Sequence, residues 1–277
     1  MSYLSIFAKI TPIARHAYVD RVRVWLPLPL SSAKLAWLRE HCGDVLLFEE
    51  QAKFALEYRY RYEIIRPSFE TIQSLATLPK AHLNRVEEAL DLIFVSEEER
   101  DAAQELINRH SVVPYHRTSH GTNYCKGTRY SAHAKVKRKL VIYPEPHSRA
   151  TGELYCLHIE WRMEGIAALR REKINALRDL LDLDRHTFWL KHLILMRVDF
   201  RALGRMHSYK EKGSKRREWI IIKGRFSYDI HRRIGSTMCR YRDVQDLLDM
   251  YRTKLPVRSA LSRCWIPQLL PAQSRGW

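Results

Sequence analysis

Four residues have the types and spacing to do chemistry in this chain: Tyr143, Glu160, Glu87 and Asp91. The chemistry they suggest is attack on a phosphodiester. A phenol can displace a leaving oxygen at phosphorus and hold the cut strand covalently, conserving the bond energy for rejoining. Two or three carboxylates on adjacent strands offer an oxygen-rich site for Mg²⁺ or Mn²⁺. Such an ion polarises the phosphodiester and stabilises charge developing on its oxygens. A nearby Lys or Arg binds the phosphate and lowers the effective pKa of the phenol.

These residues lie in three segments whose apolar and polar positions alternate with the period of a half-buried strand. In Lys137–Tyr143, Leu140 and Ile142 share one face, and Lys137, Lys139 and Tyr143 the other. In Leu157–Glu164, Leu157, Ile159, Trp161 and Met163 oppose His158, Glu160, Arg162 and Glu164. In Asn84–Phe94, Val86, Leu90, Leu92 and Phe94 oppose Arg85, Glu87 and Asp91, and Glu88 is an exception on the apolar side. A tyrosine, several carboxylates and several cations are therefore expected on one exposed sheet face. Each also has a plainer reading: a strand-end tyrosine is more often structural, and carboxylates on a polar face are more often solvated or salt-bridged. Glu87 and Asp91 in particular can pair with Arg85 and nearby lysines.

The composition fits a nucleic-acid partner. The chain has 277 residues, 45% hydrophobic and 10% aromatic, enough for a folded core. Its 48 Lys and Arg against 31 Asp and Glu give a formal charge of +17, and a field of that sign favours phosphates. The five cysteines are scattered with no C-x-x-C pair, which argues against a zinc ribbon or a disulfide framework. No apolar run reaches the length of a spanning helix, and the N-terminus does not read as a signal peptide. The expectation is a soluble, cytoplasmic protein without a membrane partner. P-loop, G-x-G-x-x-G and G-x-S-x-G motifs are absent, as is any His-x-His pair. The loop histidines His110, His116, His120 and His133 match no metal-ligand spacing.

The elements that must position the four residues form an α+β pattern: a largely antiparallel sheet with helices packed on one face, plus a mostly helical C-terminal region. Residues 1–80 are expected to form an N-terminal α+β part, 81–183 the catalytic-sheet core, and 184–277 the helical region with a basic loop at Lys210–Arg217. Strands are expected at Tyr18–Leu26, Phe54–Tyr62 and Tyr124–Ser131 as well as the three above. The Tyr/Arg interleaving of Phe54–Tyr62 suits either base stacking or, more commonly, a cross-strand aromatic ladder. Helices are expected to start at Ser32 and Pro67-Ser68, and from the capping box Ser96–Glu99. Further helices are expected over Ile166–Leu183, from Asp184 through Leu195, and over Asp243–Tyr251.

At these residues the chain resembles the rolling-circle replication initiators of small plasmids and filamentous phages, in the branch without a histidine pair. Arg85-Val86-Glu87-Glu88-Ala89-Leu90-Asp91 is similar to that family's R-[VI]-D-x-x-x-D strand. Lys139-Leu140-Val141-Ile142-Tyr143 resembles its apolar strand ending in tyrosine, and His158–Arg162 its x-R-x-E-x-R strand. Gly127–Ser131 resembles its G-S-R-x-S segment. The likeness spans roughly Leu83 to Leu181. It implies a metal-dependent endonuclease that nicks and rejoins one DNA strand through a 5′-phosphotyrosine, with Tyr143 as nucleophile. Glu87, Glu160 and Asp91 would hold Mg²⁺ or Mn²⁺, and Lys137, Lys139, Arg129 and Arg162 would serve phosphate. The implied partners are origin DNA, single-stranded or in a cruciform, a second copy of the chain and a host helicase. The chain departs from the family at Tyr143-Pro144-Glu145, where a lysine commonly follows two residues after the tyrosine. A non-enzymatic nucleic-acid-binding protein on the same fold is the alternative.

Overall fold

The computed structural model describes residues 10–112, 120–125, 128–133, 137–198, 261–264 and 267–272. The described chain divides into two compact units, one of residues 1–104, 118–192 and 267–277, the other of 105–117 and 193–266.

The first unit is built on an eight-stranded sheet. Its strands are β1 (Ala14–Leu26), β2 (Asp44–Glu49), β3 (Tyr60–Ile65), β4 (His82–Ile93), β6 (His120–Cys125), β7 (Thr128–His133), β8 (Arg138–His147) and β9 (Leu154–Glu164). Their order across the sheet is β2-β3-β1-β4-β9-β8-β7-β6, and every pair is antiparallel. Its helices are α1 (Ser32–Glu40), α2 (Phe69–Ala76), most of α3 (Glu97–His110), α4 (Ile166–Arg171), α5 (Arg178–Leu181) and α6 (Arg185–His192). In the second unit, β10 (Ile194–Val198) pairs antiparallel with β5 (Ser111–Val112) on one side and β11 (Leu261–Cys264) on the other. The fold is α+β with a largely antiparallel sheet, and its described core lies between the sheet and the helices on one face.

The alternation in the sequence explains that face. Val22, Val86, Leu90, Leu92, Leu140, Ile142, Ile159 and Trp161 are all buried, and register places them on one side of the sheet. Trp161 stacks on His192 of α6 with ring centroids 4.3 Å apart. Glu88, the exception in the β4 pattern, receives Arg185 Nε of α6 at 3.2 Å, so a buried ion pair replaces an apolar contact there. The serine half of the capping box forms: Glu99 N donates to Ser96 Oγ at the start of α3.

Several expected boundaries move for local reasons. The strand expected over Phe54–Tyr62 begins only at Tyr60 and runs to Ile65. Phe54 and Tyr58 instead join Trp25 and His82 in a partly exposed aromatic cluster, with centroids 4.3–5.9 Å apart. Tyr124–Ser131 is not one strand but parts of the two strands of a hairpin, with Cys125 paired to Thr128. The helix expected over Ile166–Leu183 is two short helices. It breaks at Lys173, whose φ of 62° is left-handed, and the Asp179 carboxylate accepts the N–H groups of Asn175 and Ala176 before α5. Asp184 does cap α6, accepting from Thr187 N at 3.1 Å. That helix stops at His192, however, and Leu195 lies in β10. The helix expected at Asp243–Tyr251 and the basic loop Lys210–Arg217 lie outside the described residues.

Candidate active site

The four central strands bring Tyr143, Glu160, Glu87 and Asp91 to one face. Tyr143 of β8 is paired with His158 of β9, His158 with Asp91 of β4, and Asp91 with His16 of β1. The expected face is therefore formed, but it is buried rather than exposed. Glu87, Asp91, His158 and Glu160 are each at most 1% exposed; Tyr18 and Arg21 of β1 and Ser148 after β8 bond to or lie against these acids.

The hydrogen bonds form a chain. Tyr143 Oη donates to Glu160 Oε1 at 2.5 Å. His158 Nε2 is 2.9 Å from the same oxygen, and its Nδ1 is 2.5 Å from Asp91 Oδ1. The other Asp91 oxygen accepts from Ser148 Oγ at 2.5 Å and from Tyr18 Oη at 3.2 Å. Arg162 Nε binds Glu160 Oε2. Glu87 binds Arg85 and lies 3.5 Å from Arg21 Nε and 3.6 Å from Arg162 Nε.

One residue of the site was missing from the sequence reading. Asp20 is the extra residue of a β-bulge in β1, between Val19, opposite Glu88, and Arg21, opposite Glu87. A ligand atom from each of Asp20, His158 and Glu160 lies within 4.8 Å of the others. Asp20 Oδ1 is buried without a hydrogen-bond partner, an uncommon state for a carboxylate oxygen. The signal was present in the sequence: the inward positions Val19, Val22 and Val24 break the period of two by one residue.

Electrostatics single out the same cluster. Burial raises the Asp20 carboxyl above its ordinary range, and the Glu160 charge raises it further. Burial works against ionised Glu160 too, but the His158 hydrogen bond and charge, with Arg162, outweigh it and hold Glu160 well below the usual range. Burial likewise opposes the His158 cation, but its bonds to Asp91 and Glu160 push it up to about 9. The Tyr143 phenol is raised by burial and then by the Glu160 charge, with Arg149 pulling the other way.

The phosphate candidates divide. Arg162 is committed to Glu160 and Glu87 on the polar face. Lys139 and Lys137 are exposed, Lys139 opposite Arg162 and Lys137 with its Nζ 3.7 Å from Glu164. Arg129 is paired in register with Ile142, and its side chain lies outside the described residues.

No protein-family model matches the chain, and no curated protein matches it. Among solved structures it is similar to the rolling circle replication initiator protein from Geobacillus stearothermophilus. The match has 12% identity and a TM-score of 0.37, covering 65% of this chain and 86% of that one. No described helix is long and apolar enough to cross a membrane.

Proposed function

We propose that this chain is a replication initiator that nicks and rejoins one DNA strand, with Tyr143 as nucleophile and a divalent cation at Asp20, His158 and Glu160. The observation that carries this reading is the 2.5 Å bond from the Tyr143 hydroxyl to a Glu160 oxygen within the cation cluster. The sequence resemblance, which points to the same tyrosine and glutamate, supports the substrate.

The donor set fits a divalent cation. It offers two carboxylates and one imidazole, and Asp20 Oδ1 is buried without a hydrogen-bond partner. The nitrogen donor favours Mn²⁺ over Mg²⁺. When bound, the ion would withdraw charge from the phosphodiester oxygens. Asp91, with three hydrogen-bond donors on it, would hold the Nδ1 proton of His158 and leave Nε2 as the ligand atom, an orienting role rather than ligation. Glu87, held by arginines, would keep Arg162 and Arg21 in place. Glu160 Oε1 accepts the phenol proton as Tyr143 bonds to phosphorus. Lys137, Lys139 and Arg129 would line the DNA backbone. Origin DNA, a second copy and a host helicase are the partners this reading implies.

The test is a covalent adduct. Wild-type protein incubated with Mn²⁺ or Mg²⁺ and a single-stranded oligonucleotide library should give a denaturation-resistant protein–DNA species, and Tyr143→Phe should give none. If both proteins bind DNA equally and neither forms an adduct, the chain is a nucleic-acid-binding module on this fold.

A further inference from the structure

The turn between β8 and β9 carries an arginine to the nucleophile. Arg149 Cζ is 5.7 Å from the Tyr143 ring centroid. Its guanidinium is held by Glu145 Oε1, and the side chain keeps 42% of its surface exposed. Arg149 thus has one partly exposed carboxylate partner, whereas Arg162 is bound to Glu160 and close to Glu87, both buried.

The turn is built to hold that position. Ser148 Oγ donates to Asp91 of the site and accepts the N–H groups of Ala150 and Thr151, each at 3.2 Å. Ser148 N donates to the Glu153 carbonyl at 2.7 Å, and Gly152 N to the Ser148 carbonyl at 2.8 Å. Gly152 has a φ of +78°, which glycine adopts without strain. Glu153 Oε2 is 2.5 Å from His16 Nε2 on β1, and Arg66 Nη1 binds the carbonyl of Arg149 itself. A surface arginine on a free loop would have none of these ties.

We propose that Arg149 is a catalytic residue that binds the scissile phosphate beside Tyr143 and neutralises charge on its non-bridging oxygens. This rests on the reading of Tyr143 as nucleophile. In the step it serves, the Tyr143 oxygen bonds to phosphorus as its proton passes to Glu160. The bond from phosphorus to the 3′ oxygen breaks, and that oxygen takes a proton from solvent to leave as a 3′-hydroxyl. The phosphoryl group keeps one negative charge throughout, and more builds on its oxygens in the transition state. A planar guanidinium with two donors to offer suits that charge better than an ammonium.

The test uses full-length protein, an oligonucleotide that the wild type nicks, and the same oligonucleotide with a methylphosphonate at the cleaved linkage. Arg149→Gln should slow single-turnover adduct formation ~10²–10³-fold on the phosphodiester. Arg149→Lys should lose less. On the methylphosphonate, which lacks the charge to be neutralised, wild type and Arg149→Gln should nearly converge. A purely structural arginine would instead make Arg149→Gln equally slow on both substrates, and that result overturns the proposal, as does an Arg149→Gln rate equal to wild type. If the wild type forms no adduct, the nicking reading falls and the salt dependence of oligonucleotide binding decides Arg149. A slope shallower by about 0.7 in Arg149→Gln keeps its phosphate contact, and an unchanged slope removes it.

Discussion

The two faces of the central sheet bury charge in opposite ways. On the helix-covered face, Glu88 is matched by Arg185, and Glu172 is surrounded by Arg138, Lys191 and His192. Each of these two acids has a cation bonded to it, although one Glu88 oxygen is also buried without a hydrogen bond, and burial pushes that carboxyl up to about 7 against the pull of Arg185. On the other face, Asp91 and Glu160 sit on opposite nitrogens of the His158 ring, Glu160 also binds Arg162, and a buried Asp20 oxygen has no partner. Balanced charge is what structural pairs require, since an unpaired buried ion costs several kcal/mol. An acid oxygen buried without a partner, as Asp20 Oδ1 is, is what a cation site would offer. On the proposed reading, the faces separate residues that hold the fold from residues that spend stability on function.

The largest effect should come from the proposed nucleophile. Tyr143→Phe removes the attacking oxygen, and adduct formation should fall by at least ~10⁴-fold. The melting temperature should hardly change, since the ring and its contact with His158, centroids 4.9 Å apart, remain. A stability loss comparable to that of a core substitution would place Tyr143 with the structural face instead.

Next is the structural face itself. Glu172→Gln leaves Arg138 and Lys191 beside a neutral group and should destabilise the first unit by on the order of 3 kcal/mol, with DNA nicking intact below the melting transition. The pH dependence follows from the same charge. Burial opposes ionised Glu172, but His192 and Lys191 outweigh it and bring its pKa down to about 2. A carboxyl with a depressed folded pKa contributes stability above its unfolded value of about 4.5 and loses it as pH falls from there to about 2. Thermal melts across that window should therefore drop steeply for wild type and more gently for Glu172→Gln. Equal slopes would remove Glu172 from the acid-sensitive set.

Asp20→Asn should move the two properties in opposite directions. Burial raises the Asp20 carboxyl, so ionising it costs folding energy as pH rises above the unfolded value near 4. Without metal, the variant should be more stable at pH 7 by roughly 1 kcal/mol. With Mn²⁺, it should lose ~10–100-fold in metal affinity, read by titration calorimetry, and the thermal shift that the metal gives wild type should shrink. A variant that is less stable without metal would make Asp20 a structural acid.

These contrasts were only partly legible in the residue order. The alternation in β4, β8 and β9 was enough to place Glu87, Asp91, Tyr143 and Glu160 on one face, because a period of two fixes facing whatever the strand order. It could not place Asp20, which depends on a bulge that shifts β1 against β4 by one residue, although the three-residue step from Val19 to Val22 records it. His158 was read as one polar residue among several. Its role appears only when register puts Asp91 on one ring nitrogen and Glu160 near the other. Arg149 follows a proline-containing strand end and came within reach of Tyr143 through a turn tied by Ser148 to Asp91, a contact between residues 57 apart. The burial of the polar face was not legible either, since sequence gives the facing of a side chain but not what lies above it.

The smallest effects test the pleat itself, in three consecutive cations. Lys137 and Lys139 are exposed, and Lys139 is paired with Arg162 on the polar face. Arg138 between them is buried, opposite Met163, and reaches Glu172 at 3.0 Å. One charged run therefore serves both faces. Lys137→Gln and Lys139→Gln should each leave stability within about 0.5 kcal/mol. Each should reduce the salt slope of single-strand binding by about 0.7, the share of one phosphate contact. Arg138→Gln should do the reverse, lowering the melting temperature while leaving the salt slope at the wild-type value. If all three substitutions change the slope alike, the run acts as an undivided basic patch, and DNA does not distinguish the faces along β8. If only the outer two do, the strand's alternation directs one cation to the fold and its neighbours to the nucleic acid.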